Sequence, residues 1–325
     1  MNQLKKPVVF ITRPIPQPGI DLIKRYATVI LRKTNSAISR KELLAGAKKA
    51  DILLPILTDK IDEAFLQANP QLKLIANYGA GFNNIDIGAC TAQRVPVTNT
   101  PGVLTTATAE LTFTLILAVA RRIVETDAIM RTGKYPGWGP MLYMGYDING
   151  KTLGIVGMGR IGKRVAEIAK YGFNMNIIYY NDRAVTEVDK SLQAKSVTLK
   201  QLFKQADFVS LHVPLTPQTH HLIGKKELAI MKPTACLVNT SRGPVIDEQA
   251  LVSALKNKTI AGAGLDVYEK EPLMAAGLKT LQNTVLLPHI GSATYTTRTA
   301  MAMLAAKNIV AFIQGKPLIS PVNKI

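Results

Sequence analysis

Three features of the 325-residue chain are of types and spacings that could do chemistry: a glycine triplet, an arginine at a strand end and a histidine after a proline. In "TLGIVGMGRIGKRVAEIAKYG" an apolar strand, Leu153 to Val156, runs into Gly157, Gly159 and Gly162 and then into a helical pattern. The first glycine permits a tight turn, the second lets a pyrophosphate approach the backbone, and the third lets the helix pack closely on the strand. The helix N-terminus then offers free N–H groups to the phosphates. A strand before and a helix after favour dinucleotide binding over a plain glycine turn. Asp182 comes twenty positions after Gly162, at the end of "NIIYYND". That is about where an acid would bind the ribose 2′-hydroxyl of NAD and repel the 2′-phosphate of NADP. Arg183, next to it, could do the opposite, and a solvated Asp-Arg turn is the bland alternative.

The second feature is "ACLVNTSRGPVID", where an apolar strand ends and Arg242 follows at its tip. A guanidinium there either pairs with a surface carboxylate or receives an anionic ligand, since parallel α/β sheets bind ligands at the carboxyl ends of their strands. The third is His289, after "TVLLP". An imidazolium can protonate a developing alkoxide, and a carboxylate beside it favours the charged ring and fixes its orientation. Asp266, Glu269 and Glu271 are the nearby acids. His212, His220 and His221 are read as structural.

The elements needed to position such groups are legible as short apolar runs alternating with amphipathic segments, the pattern of βα units around parallel sheets. One series includes "VVFIT" (8–12), "DILLP" (51–55), "LKLIA" (72–76) and "VPVTN" (95–99), with a helix over "IDEAFLQAN" ended by Pro70. A long helical stretch runs from Val103 to about Arg131. A second series follows through the glycine turn, "NIIYY", "DFVSLHVP", "ACLVNT", "IAGAGLDV" and "TVLLPHI", and a helix from about Ala293 to Gln314 closes the chain. The expected fold is α/β, with two doubly wound Rossmann-like lobes and a ligand cleft between them.

Composition narrows the class. Two cysteines, Cys90 and Cys236, both in apolar surroundings, make no disulfide framework and fit a reducing, cytoplasmic setting. No signal peptide is read in "MNQLKKPVVFIT", and the longest apolar run, Leu115 to Ala120, is far too short for a bilayer, so no membrane role is expected. The formal net charge is +18, and residues 1–50 alone hold eleven Lys or Arg against Asp21 and Glu42. These charges are scattered singly or in pairs such as Lys5-Lys6, without aromatic interleaving. They read as a solvated basic face or an aid to anion steering, and nucleic acid is a minor alternative.

"NTSRGPVIDEQAL", "GAGLDVYEKEP" and "LLPHIGSAT", following the glycine turn in this order, resemble the D-isomer-specific 2-hydroxyacid dehydrogenase family over nearly the whole chain. "ILTDKID" and "NYGAGFNNID" are similar to its glyoxylate/hydroxypyruvate reductase branch. The resemblance implies Arg242, Glu271 and His289 as catalytic residues, with Arg242 and His289 also touching substrate, and it puts Asp266 at the nicotinamide end of the cofactor site. A guanidinium fork suits a 2-oxo acid, binding its carboxylate while polarising its carbonyl. Implied cofactor contacts, besides Gly157, Gly159, Gly162 and Asp182, are Thr108, Arg160, Ile161, Val213, Pro214, Thr219 and Thr240. Implied substrate contacts are Leu57 and the loop Tyr78, Gly79, Ala80 and Gly81, the family's backbone-amide clamp for the carboxylate. No metal is implied.

The implied cofactor is NAD, with NADP as the alternative. In NAD-using members the acid generally ends the strand directly, and that position here is Asn181, with Asp182 next. The NADP-preferring reductases of the branch tend to carry arginine at the Asp182 position. Phosphite dehydrogenases carry lysine where this chain has Ala80, which argues against phosphite. The implied domains are a discontinuous substrate domain, 1–99 plus 290–325, and an NAD-binding domain, 100–289. The implied partners are a small anionic 2-oxo or 2-hydroxy acid and a second copy, in a homodimer through the cofactor domain. That interface would use the long helix after Pro101 and "YPGWGPMLYMGYDI" (135–148), for which a buried intramolecular loop is the alternative. The implied activity is NAD(P)H-dependent reduction of glyoxylate or hydroxypyruvate to the D-2-hydroxy acid, and the reverse. The alternatives are a reductase of 2-ketogluconate or a branched-chain 2-oxo acid, and a corepressor-like NAD(H)-sensing protein.

Overall fold

The computed structural model describes residues 6–182 and 185–325. The chain divides into two compact units, Met1–Leu104 with Ser292–Ile325, and Thr105–Gly291. Apolar runs that alternate with helices give parallel strands buried on both faces, and each unit is built on one such sheet.

The sheet of the first unit contains β1 (Val8–Ile11), β2 (Thr28–Leu31), β3 (Ile52–Leu54), β4 (Leu74–Ala76) and β5 (Val97–Thr98). All pairings are parallel and the order is β2-β1-β3-β4-β5. Side chains alternate between two cores. Val9 and Ile11 join one with the helix Tyr295–Ile313, while Phe10 joins the other with Leu53, Phe65 and Leu66. Full burial of each such side chain is worth roughly 1.5–3 kcal/mol. The closing helix packs on the helix Gln17–Tyr26 so closely that a Cβ on Gly19 would lie 2.8 Å from the Ala302 Cβ.

The sheet of the second unit contains β6 (Thr152–Val156), β7 (Asn176–Tyr180), β8 (Lys195–Ser196), β9 (Phe208–Leu211), β10 (Cys236–Asn239), β11 (Gly262–Leu265) and β12 (Thr284–Leu286). It is parallel throughout, in the order β12-β11-β10-β9-β6-β7-β8. The chain winds one way from β6 and the other way from β9, so the carboxyl ends of these two neighbours form the switch point where a doubly wound sheet binds its ligand. Gly262 and Gly264 make room for the helix Thr105–Ala120, because a Cβ on Gly262 would lie 2.8 Å from Val119 and one on Gly264 3.1 Å from Leu115.

One expectation needs correcting, one strand leaves no sequence signal, and one alternative falls away. The helical stretch from Val103 to Arg131 is two helices, Thr105–Ala120 and Ile123–Arg131. Arg122 stands between them in the left-handed region (φ 53°), with its guanidinium bonded to both oxygens of Glu125 at 2.7 and 2.9 Å. No glycine or proline marks that break. The two-residue edge strand β8 is too short and too exposed to leave a pattern. The segment 135–148 is not a buried loop, because Trp138 is 84% exposed and Met141 73%, and only Ile148 is in the core. The two compact units meet at 104/105 and 291/292, because the loop after β5 stays with the first unit as far as Leu104 and β12 carries its trailing loop to Gly291. Among the described residues no helix is long and apolar enough to cross a membrane.

Candidate active site

Arg242, Glu271 and His289 follow the carboxyl ends of the adjacent strands β10, β11 and β12. All four residues of β10 are buried, and its last, Asn239, organises the exit. Asn239 Oδ1 accepts from the Ser241 N–H (3.0 Å) and hydroxyl (2.8 Å), and its Nδ2 donates to the Arg242 carbonyl (2.9 Å). Arg242 is extended (φ −144°, ψ 139°), and its Nη1 donates to the Ser241 carbonyl at 2.7 Å. Burial works against the guanidinium charge and Glu271 favours it, leaving the pKa below the ordinary arginine value. A Cβ on Gly243 would overlap the Tyr268 carbonyl, so only glycine lets this loop lie flat against the segment leading to Glu271.

Glu271 and His289 form a pair, with Nδ1 of His289 2.8 Å from Oε2 of Glu271, and the His289 side chain is 31% and that of Glu271 28% exposed. Glu271 Oε1 accepts the Tyr268 N–H at 3.2 Å. Burial opposes the charge of Glu271. The bond to His289 and its charge, the Tyr268 N–H and Arg242 outweigh that burial and hold the carboxyl below its ordinary range. His289 has φ 55°, an uncommon conformation for a residue with a side chain, and its surroundings impose it. Asp266 takes the Ile290 N–H on one oxygen and the Gly291 N–H on the other, both at 2.7 Å. The Tyr268 hydroxyl donates to the carbonyl of Leu287, two residues before His289, at 3.0 Å. Burial raises the Asp266 carboxyl above its ordinary pKa against these N–H donors, and pushes the Tyr268 phenol up to about 12.

The competing acids are accounted for. Glu269 pairs with His221, which stacks on His220 with ring centroids 4.1 Å apart. Asp266 binds backbone, not the imidazole. Burial lowers the His212 pKa to about 3, so that ring, bonded to Ser210 Oγ, is neutral near pH 7.

The glycine turn sits at the switch point, and each glycine has its own reason. Gly157 (φ 98°) brings the turn against the chain leaving β9, where a Cβ would lie 2.8 Å from the His212 carbonyl carbon. A Cβ on Gly162 would overlap the Gly157 carbonyl, which fixes the helix Arg160–Phe173 on β6. Gly159 caps that helix and faces open space, as the approach of a phosphate requires. Arg160 is exposed and Ile161 half-buried at the helix start. Asn181 Oδ1 accepts the Met158 N–H at 3.1 Å, and Asp182 is exposed just beyond β7. Arg183 lies outside the described residues.

Val213, Pro214 and Thr219 share the loop after β9, where the Thr219 hydroxyl donates to the Pro214 carbonyl at 2.6 Å. Thr108 and Thr240 are joined through Thr112, whose hydroxyl lies 2.7 Å from Thr240 Oγ1 and donates to the Thr108 carbonyl at 2.7 Å. Thr108 Oγ1 also donates to the Gly291 carbonyl at 3.2 Å. Sequence reasoning missed Thr112, Asn239 and Gly243, although Gly243 directly after Arg242 was a usable sign of a close backbone approach.

In the first unit the N–H groups of the loop Tyr78–Gly81 differ in their partners. The Tyr78 N–H donates to the Pro55 carbonyl and the Gly79 N–H to the Asn77 carbonyl, so neither is available. The Tyr78 phenol is buried and donates to the Arg298 carbonyl at 2.8 Å, with burial raising its pKa. Asn77 Nδ2 binds the Gly81 carbonyl (2.9 Å) and Asn99 Nδ2 the Ala80 carbonyl (2.7 Å), which turns the loop's carbonyls inward. The N–H groups of Ala80 and Gly81 donate to no acceptor among the described residues. Gly79 makes room for Leu57, whose Cδ2 a Cβ would overlap.

Residues 113–291 match the model described as D-isomer specific 2-hydroxyacid dehydrogenase, NAD binding domain. A glyoxylate reductase of Thermococcus litoralis is 51% identical over 98% of this chain and 97% of its own. The crystal structure of a glyoxylate reductase from Paecilomyes thermophila superposes with a TM-score of 0.87 at 34% identity, covering 98% of both chains. An NADPH-dependent glyoxylate/hydroxypyruvate reductase from Sinorhizobium meliloti, solved with NADP and malonate, gives 0.86 at 28% identity over 98% of this chain and 97% of that one. The chain belongs to the D-isomer-specific 2-hydroxyacid dehydrogenase family.

Proposed function

We propose that the protein is an NAD(P)H-dependent reductase of small 2-oxo acids of the glyoxylate and hydroxypyruvate type, forming the D-2-hydroxy acid and running in reverse as its oxidation. The observation that carries this reading is the His289–Glu271 pair at the strand ends next to Arg242. His289 uses Nδ1 on Glu271 and has Nε2 without a protein partner among the described residues. The full-length similarity to glyoxylate reductases supports the substrate class.

The residues divide the work by their chemistry. Arg242 binds the substrate carboxylate and polarises the neighbouring carbonyl. Nε2 of protonated His289 gives its proton to the carbonyl oxygen as the carbon is reduced, while Glu271, held ionised, stabilises the imidazolium and keeps the ring aimed. In the oxidative direction the neutral ring takes that proton back. When bound, the nicotinamide supplies the hydride. The open face of Gly159 and the start of the Arg160–Phe173 helix fit its pyrophosphate, and Asp182, exposed just beyond β7, is the residue assigned to select NADH. The exposed 135–148 segment, with Trp138 and Met141 in solvent, is the proposed face of a homodimer.

The direct test is cofactor oxidation at neutral pH with glyoxylate, hydroxypyruvate, pyruvate, 2-ketogluconate and 2-oxoisocaproate, each with NADH and NADPH. Highest kcat/KM on the first two, with NADH preferred, is the expected outcome. A preference for 2-ketogluconate or 2-oxoisocaproate would move the enzyme to another branch. NADH binding without turnover of any acid would leave the sensing protein as the better description.

A further inference from the structure

Glu248 is the first residue of the helix Glu248–Lys256 and is only 3% exposed, yet it has no basic partner among the described residues. Both its oxygens are spent on backbone. Oε1 accepts the Glu269 N–H at 2.6 Å and Oε2 the Ala275 N–H at 2.9 Å. These two donors bracket Glu271, one lying two residues before it and the other four after. The same peptide is held from a second side, because the absent Cβ of Gly243 is what allows the Arg242 loop to touch the Tyr268 carbonyl and the Glu269 nitrogen. The stretch "RGPVIDE" therefore carries Arg242 at one end and, through Gly243 and Glu248, grips the segment that carries Glu271.

A carboxylate in this position is costly. Burial raises its pKa against the two N–H donors, and the nearby charges of Glu269 and Glu271 raise it further. The helix N-terminus offsets part of that cost. A buried group of this kind is retained where its geometry matters, since a surface loop could satisfy the same amides with water.

We infer that Glu248 is a positioning residue for the reaction: it holds the Glu271 segment in register with Arg242 and so fixes the carboxylate that orients His289. The inference rests on the reading of Glu271 and His289 as an acid–base pair. Glu248→Gln keeps the shape but turns one acceptor into a donor facing an N–H, an unfavourable contact. The segment then shifts, and Glu271 with it, while Arg242 and the glycine turn stay.

The test is a double-mutant cycle of Glu248→Gln and Glu271→Gln, read as kcat and KM for hydroxypyruvate, NADH affinity by fluorescence titration, and melting temperature. Glu248→Gln alone should lower kcat about tenfold or more, with KM and NADH affinity within roughly threefold. In the Glu271→Gln background its further effect should shrink to within about twofold, because residues that act through one another are not additive. Wild-type kcat in Glu248→Gln, or a loss that persists in full on Glu271→Gln, overturns the inference and leaves Glu248 a structural clip. Wild-type kcat in Glu271→Gln overturns the acid–base reading itself, and the inference with it. If Glu248→Gln does not fold, Glu248→Asp, which keeps the charge but not the reach, takes its place in the cycle with the same expected pattern.

Discussion

Replacing His289 by Gln lowers kcat for hydroxypyruvate by about 10²–10⁴-fold and leaves NADH affinity within about twofold. The size follows from what is lost. Glutamine keeps a donor near the position of the imidazole nitrogen, so substrate still docks, but it cannot release a proton to the forming alkoxide. A donor deficit of this kind is worth about 3–5 kcal/mol of barrier. Glu271 would lose its cationic partner, and its pKa would rise toward that of a part-buried acid, because burial raises it and the bond to His289 and its charge are the strongest of the opposing effects. NADH affinity is kept because the glycine turn and the Val213–Thr219 loop are held by bonds that do not involve His289. Steady-state rates beside a fluorescence titration of NADH separate the two effects. Turnover within threefold of wild type would remove His289 from the proton-transfer step.

Replacing Arg242 by Ala damages binding and rate together. The guanidinium is half-buried and its charge is disfavoured by burial, so a substrate carboxylate docked against it gains a strong, poorly screened contact. Truncating one member of such a desolvated charge pair costs about 2–5 kcal/mol. That is roughly 30-fold to several thousand-fold in kcat/KM, with KM raised and kcat lowered, because the same group anchors the carboxylate and polarises the carbonyl. Arg242→Lys should recover only a small part, since an ammonium lacks the planar fork. The local fold should survive, because Asn239 holds the backbone of this loop through the Ser241 N–H and the Arg242 carbonyl, not through the guanidinium. An unchanged KM and kcat in Arg242→Ala would sink the anchor assignment.

Much of the fold can be read from the chain because buried parallel strands leave apolar runs and glycine turns have strict local requirements. "TLGIV", "NIIYY" and "CLVN" are strands where the pattern puts them, and Gly157 and Gly162 sit in contacts that admit no Cβ. The three proposed catalytic residues come from strand ends 29 and 18 positions apart, and motif order alone brings them into one reading.

What holds these residues in place is not legible. Asn239, Glu248 and Asp266 look like ordinary polar punctuation, and each becomes a buried clamp on backbone N–H or C=O groups, the partners of Glu248 lying 21 and 27 residues away and those of Asp266 24 and 25. No periodicity encodes contacts of that range. Asp266 shows this most clearly, since nothing in its sequence surroundings points to the turn after His289 that its oxygens hold. The break at Arg122 is silent for a related reason, because its left-handed backbone is accompanied by bonds to Glu125 and a contact to the Met144 carbonyl instead of a glycine.

The most direct measurement is the chirality of the glycerate formed from hydroxypyruvate with NADH and purified protein, read by an enantiomer-selective assay alongside cofactor consumption. Glycerate of the D configuration, formed in step with NADH oxidation, is the expected result. L-glycerate, a racemate, or no glycerate from a protein that still binds NADH would contradict the assignment of Arg242, Glu271 and His289 to a stereospecific 2-oxo acid reductase.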